Sequence, residues 1–148
     1  MTSAKAAFRE GDVLFGKLRP YFHKVVAAPK PGICSTDVLV LRARESALRG
    51  FVLAALASDA TVAAATASSE GTRMPRTSWK DLAAVEVAWP GSSAAEAFSS
   101  EVEALRATVE ARLAENLTLA PTRDALLPAL MSGTLRVRDA ERVVEEVV

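Results

Sequence analysis

This sequence is poor in the residues that most chemistry needs. Cys34 is its single cysteine and His23 its single histidine, which excludes a disulfide framework and a Cys/His metal-ligand cluster. That usage fits a reducing, intracellular setting. No stretch approaches the roughly 20 apolar residues of a membrane span, and Met1 to Glu10 carries no apolar signal segment. A soluble, cytoplasmic chain with no membrane contact is therefore expected. An excess of one charge is missing too: 18 Lys/Arg balance 18 Asp/Glu, and a pI of about 6.6 lacks the basic footprint of a free-standing nucleic-acid binder.

Catalytic equipment is equally thin. Gly11 and Gly16 have neither Walker nor dinucleotide-binding spacing, and no nucleophile beside a base or paired carboxylate motif stands out. His23 with Ser35 or Cys34 would make only a nominal dyad, since a lone histidine in a strand is more often structural or a phosphate donor. No catalytic or metal residue is assigned, and the chain reads as non-enzymatic.

What is present is enough apolar material for a core: half of the 148 residues are hydrophobic. The charge is also unevenly placed. Residues 1–90 hold 12 Lys/Arg against 8 Asp/Glu, and residues 91–148 hold 6 against 10, so a basic half precedes an acidic one. The basic half carries the strand and loop signals.

Met1 to Glu10 is polar and alanine-rich, with Phe8 as its one anchor, and reads as a fraying lead-in. From Gly11 to Val25 the chain concentrates strand formers, cations and aromatics. Val13, Leu14 and Phe15 form one β-favouring run and Tyr21 to Val26 another, punctuated by Pro20. Proline disfavours a helical residue before it, so Arg19 is expected to be extended, with Lys17, Arg19, Tyr21 and Lys24 near one bend. Cations around an aromatic suit a phosphate backbone and a base edge; an edge strand kept soluble by its charges is the plainer alternative.

Ala27 to Gly32 reads as a turn. The continuous apolar run of Asp37 to Arg42 predicts a strand buried on both faces, at the sheet centre. Cys34, Ser35 and Thr36 before it serve either packing or a substrate contact. Leu48, Phe51, Val52, Ala55 and Leu56 mark the buried stripe of a helix over 45–58 that covers the sheet, and Ala60 to Ser68 could extend a second helix. Ser69 to Thr77 reads as an exposed loop bearing Arg73 and Arg76, which either meet phosphate or cap carboxylates. Ser78 to Asp81 has capping-box spacing and opens a short turn that would seat Trp79 in the core. Val85, Val87 and Trp89 then alternate as a last strand before Pro90.

Gly91 to Ser93 reads as a hinge, with a capping box from Ser93 to Glu96 and a long helix from about Ala94. Phe98, Val102, Leu105, Val109, Leu113 and Leu117 recur at threes and fours, and Leu126, Leu127 and Leu130 continue the face to a stop at Gly133. Asn116 continues the Val102–Val109 series, where a buried amide fixes register. Pro121 and Pro128 are expected to kink or restart the helix. A rod this long needs a partner helix, unless it folds back on its own sheet. Ala140, Val143, Val144 and Val147 offer a further amphipathic turn or two.

Three stretches also carry a family resemblance. Gly11-Asp-Val-Leu-Phe-Gly-Lys-Leu-Arg-Pro-Tyr21 resembles the central strand segment of a target-recognition domain in the DNA specificity subunits of type I restriction-modification systems. Gly71-Thr-Arg-Met-Pro-Arg76 resembles the loop before that domain's last strand. Asn116-Leu-Thr-Leu-Ala120 with Arg123 to Gly133 resembles the end of the family's conserved long helix. The three occur in the family's order and cover most of the chain.

The resemblance implies an α+β fold: a small β-rich target-recognition domain with packed helices, followed by a long coiled-coil-forming helix. Its boundaries would be a partial recognition domain over 1–90, the helix for dimerisation and spacing over 91–133, and a tail over 134–148. Complete members have two recognition domains and two long helices, so this chain resembles the later part of one domain, without its first segment, plus one helix. The implied function is sequence recognition on double-stranded DNA. Lys17, Arg19, Lys24, Arg73, Arg76 and Lys80 would hold the backbone, and Tyr21 and His23 would approach bases. Phe98, Val102, Leu105, Val109, Leu113, Asn116, Leu117, Leu126 and Leu130 would form a helix-pairing interface, in a homodimer or with another specificity polypeptide. Methyltransferase and restriction subunits are the implied partners, and the chain itself is expected to need no cofactor, because S-adenosylmethionine and ATP belong to those subunits. A rival expectation is an assembly fragment that dimerises without gripping DNA.

Overall fold

The computed structural model describes residues 4–71 and 73–138, so Met1 to Ser3, Thr72 and the expected turn at Ala140, Val143, Val144 and Val147 lie outside the described residues. The chain divides into two compact units, Met1–Arg106 and Ala107–Val148. The architecture is α+β, with small antiparallel sheets, packed helices and a long C-terminal helix.

The first unit is built on two sheets. Strand β2 (Val13–Gly16) lies between β3 (Val25–Ala27) and β5 (Val38–Leu41), both antiparallel to it, with Val13 opposite Ala27 and Leu41. Strand β1 (Lys5–Phe8) pairs with β4 (Gly32–Ser35) as a separate ribbon. The expected lead-in is thus partly a strand. Its partner comes from further along the chain, and glycine at position 32 makes room for the Phe8 ring: a Cβ there would meet Phe8 Cζ at 2.6 Å.

The expectation that Val38 to Leu41 is the sheet centre does not hold. The centre is β2, where Val13 and Phe15 are buried, whereas β5 is an edge strand whose four residues are half-buried. A continuous apolar run means that both faces meet apolar neighbours; it says nothing about how many strands flank it. The second run, Tyr21 to Val26, is also shorter than expected. Pro20–Phe22 forms a 3₁₀ turn, and the strand begins only at Val25.

Helix α1 (Arg49–Ala57) lies against β2 and β3, preceded by a 3₁₀ turn at Ser46–Leu48, and α2 (Asp59–Ala67) follows at once. The Ser58 hydroxyl accepts from Thr61 N at 3.3 Å, which supplies the N-terminal cap of α2. Phe15, Ala65 and Leu82 form the buried centre, with Val25, Leu39, Leu41 and Leu56 packed around them. The capping box is present at the start of α3 (Trp79–Ala83): Ser78 Oγ accepts from Asp81 N, and the Asp81 carboxylate accepts from Ser78 N. The Ser78 hydroxyl also holds the Asp81 carboxyl below its ordinary pKa. The residue α3 seats in the core is Leu82; Trp79, expected there, is mostly exposed.

Residues 85–90 form no strand. The face of Val85, Val87 and Trp89 expected to be buried is not: Val87 and Trp89 are about half exposed, and the Trp89 ring lies edge-on to Phe51 at 5.5 Å without any ladder. Helix α4 (Ser92–Met131) begins earlier than its Ser93 signal suggests, because Gly91, at φ 92°, offers its carbonyl to Ala95 N at 3.0 Å. Within the first unit the start of α4 is held by Ala95 and Ser99, both buried. Phe98 adds an edge-on contact to Phe51 at 6.3 Å.

In the second unit α4 runs to Met131 with Pro121 and Pro128 inside it, so neither proline restarts the helix. Each removes one N–H, and the turns on either side carry the helix past it. Gly133, at φ 72°, ends it as expected: Gly133 N donates to Leu130 O at 3.2 Å and Leu135 N to Ala129 O at 3.0 Å. No single helix among the described residues is long and apolar enough to cross a membrane.

Candidate nucleic-acid interface

The two cationic stretches, far apart in sequence, are joined backbone to backbone. Arg19 N donates to Pro75 O at 2.8 Å and Thr77 N to Lys17 O at 3.1 Å, so Leu18 and Arg76 form an antiparallel bridge. Arg76 is bridged on its other side to Glu70, with bonds of 3.0 and 2.9 Å, and Lys17 N donates to Asp37 O at 2.8 Å. The end of β2 is therefore tied through main-chain bonds to Pro75–Thr77 and through them to Glu70.

Beyond this seam the chain turns sharply. Arg19 adopts left-handed angles (φ 50°, ψ 67°) and so does His23 (φ 49°, ψ 42°), on either side of Pro20–Phe22. The expected extended Arg19 is overridden by its place at the start of the Pro20–Phe22 turn, where its N–H donates to Pro75 O at 2.8 Å and its carbonyl accepts from Phe22 N at 3.1 Å. Non-glycine residues in this region cost about 1–2 kcal/mol each, and such strain collects at functional sites. Pro20 is fully buried and the turn packs on α2, where His23 Nε2 lies 3.7 Å from Asp59 Oδ1. Tyr21 and Phe22 are about half exposed, with ring centroids 4.7 Å apart.

The predicted cations divide by how firmly they are held. Lys24 bonds the Leu18 carbonyl and its ammonium lies 5.7 Å from the Phe22 ring centroid. Arg76 pairs with Asp37 at 2.9 Å, although more than half of its side chain stays exposed. Arg73 is exposed in the loop, and Lys80 is exposed on α3, three residues past Thr77. Lys17 and Arg19 are half-buried at the seam. Two buried polar atoms there, Arg19 Nε and Thr77 Oγ1, have no hydrogen-bond partner among the described residues. The structure thus brings Lys17, Arg19 and Arg76 together through main-chain bonds and places Tyr21, His23 and Lys24 on the turn they support.

Sequence reasoning missed what fixes the other end of β2. Asp12 is buried, and the Arg42 guanidinium donates to both of its carboxylate oxygens at 2.7 and 2.6 Å. Arg9 N adds a bond of 2.8 Å. The Arg42 hydrogen bonds hold the Asp12 carboxyl below its ordinary pKa against the opposing effect of burial, with Arg9 assisting. Asp12 was legible only as the start of a strand; a buried aspartate after glycine was the available signal. Phe22 was also missed, although it adjoins Tyr21 in an exposed turn. Cys34 takes the packing use: its thiol lies 3.5 Å from Ala6 O across the β1–β4 ribbon. Among the described residues no group of three His, Cys, Asp or Glu side chains could hold a metal ion.

The expected helix-pairing residues can be placed on α4. Phe98, Leu105, Val109, Leu113, Leu117, Leu126 and Leu130 are 40–78% exposed, Asn116 is exposed, and Val102 is half-buried. Most of this row is thus exposed among the described residues.

No family model matches the chain. It is 29% identical over 90 residues to the specificity subunit of the type I restriction enzyme EcoDI from Escherichia coli, a match covering 61% of this chain. The same match covers 20% of that protein, so the chain spans about a fifth of the length of the curated relative. The likeness expected from three short stretches is therefore present: this chain resembles part of a type I restriction enzyme specificity subunit.

Proposed function

We propose that the chain is a non-catalytic DNA-recognition module of a type I restriction-modification complex, acting in the cytoplasm. The observation that carries this reading is the seam between residues 17–19 and 75–77, which presents two cation-bearing loops as one surface. Arg73, Lys80 and the free edges of Lys17, Arg19 and Arg76 engage phosphates, while Tyr21 and His23 meet base edges. Methyl transfer and cleavage, with S-adenosylmethionine and ATP, fall to methyltransferase and restriction subunits that dock on the module. The exposed row of α4 pairs with the same row of a second copy.

Mobility shift on random duplexes, with and without the methyltransferase subunit, tests the reading. Binding that falls steeply with salt supports it. A Lys17→Ala/Arg19→Ala double variant should weaken binding without unfolding the chain. Unchanged binding would remove these residues from the site. One observation favours a second reading: Lys24 and Arg76 are already engaged inside the chain, as suits an assembly fragment that dimerises through α4 and leaves DNA alone. Absence of binding both with and without the methyltransferase subunit selects that alternative.

A further inference from the structure

Phe22 is the most exposed aromatic of the turn, and everything around it keeps it so. The left-handed residues on either side, Arg19 and His23, close the chain into a tight 3₁₀ turn. Buried Pro20 and the packing on α2 fix it from behind. Tyr21 leans against the ring at 56° between planes, and the Lys24 ammonium, anchored on the Leu18 carbonyl, lies over it. An apolar ring left 59% exposed costs free energy in water, so its presentation on a strained and braced turn calls for a use. Lys24 lies over the ring, Arg19 is bonded to Phe22 through its carbonyl, and Lys17 stands on the same short stretch; these cations suit a polyanion and disfavour an apolar protein surface.

We propose that Phe22 is a wedge that enters a base step of duplex DNA and holds it partly unstacked, while the surrounding cations grip the backbone. This rests on the DNA-recognition reading above and adds a mechanical role to it. Apolar side chains at a cationic surface act this way when they can be driven between bases without yielding. The bracing of the turn supplies that rigidity, and the Lys24 ammonium over the ring carries positive charge toward the opened step. Recognition then depends on how easily a step opens as well as on contacts to base edges, a form of indirect readout.

The test compares a fully paired duplex with the same duplex carrying one abasic site, where the unstacking cost is already met. It is run by fluorescence anisotropy on the full chain, alone and with the methyltransferase subunit. Wild type should favour the abasic duplex. Phe22→Ala should lose that preference and bind the abasic duplex on the order of tenfold more weakly, with an unchanged circular dichroism spectrum because the ring is largely exposed. Phe22→Trp should keep the preference, with emission quenched on duplex addition beyond the wild-type signal of Trp79 and Trp89. Equal affinities and equal preference in wild type and Phe22→Ala, or unquenched Phe22→Trp at saturation, would overturn the wedge and leave DNA recognition standing. No binding of either duplex in either form would overturn both.

Discussion

Gly50 and Ser99 cross closely: Gly50 N donates to the side-chain Oγ of Ser99 at 2.9 Å, and a Cβ on Gly50 would lie 2.3 Å from the Ser99 carbonyl oxygen. This close crossing fixes the start of α4 against α1 within the first unit. Gly50→Ala improves helix propensity yet should destabilise this unit by about 1–3 kcal/mol, because the obstacle is main chain and cannot step aside. Thermal melting of Gly50→Ala beside Ala54→Gly checks this. A Gly50→Ala protein more stable than wild type would show that the two helices do not touch here.

The Asp12–Arg42 pair makes stability depend on acid. The folded Asp12 carboxyl releases its proton more readily than in the unfolded chain, so its contribution is complete above the unfolded value near pH 4. It is lost as pH falls through the lower folded value. Asp12→Asn should therefore be less stable than wild type at pH 7, and the gap should close on acidification. Urea titrations of both proteins from pH 7 to pH 3 measure it; a gap independent of pH would contradict the ion pair.

Arg19 should show a conflict between stability and binding. Arg19→Gly removes the left-handed strain and a buried Nε without a partner, so the fold should gain about 1 kcal/mol. Duplex binding should weaken at the same time, and its salt dependence should drop by about one unit of slope. Chemical denaturation and anisotropy on the same preparation give both numbers. A less stable Arg19→Gly would mean that the side chain serves the fold more than the interface.

The exposed row of α4 should drive self-association. Sedimentation at micromolar concentration is expected to show a dimer, and Val109→Glu/Leu113→Glu a monomer with the melting of the first unit unchanged. A monomeric wild type would remove the pairing interface.

The elements legible in the sequence were those set by near neighbours. β2, the helix marked by Phe51 to Leu56, the Ser78–Asp81 box and the stop at Gly133 follow from spacing within a few residues, and the structure has each of them, although Phe51 to Leu56 are all half-buried and Gly50 is the buried residue of α1. What could not be read depends on partners far along the chain. β5 is an edge because no further strand among the described residues pairs with it in the sheet, and Arg19, left-handed at the start of its turn, is tied to Pro75 in the later loop. The same division holds for the candidate site. Its two cationic loops were visible as composition, whereas the bridge of Leu18 to Arg76 that unites them was not. Residues 85–90 mark the limit of alternation as a signal: Trp89 satisfies the pattern by leaning on one aromatic ring.

The sole thiol of the sequence, Cys34, sits half-buried on β4 with its sulfur facing the Ala6 carbonyl. Its contact spans β1 and β4, so lifting of β1 exposes it further and should raise its rate of modification by a maleimide relative to a small thiol. The protein thus carries its own probe of local breathing in the β1–β4 ribbon, at a position separate from every residue proposed to meet DNA.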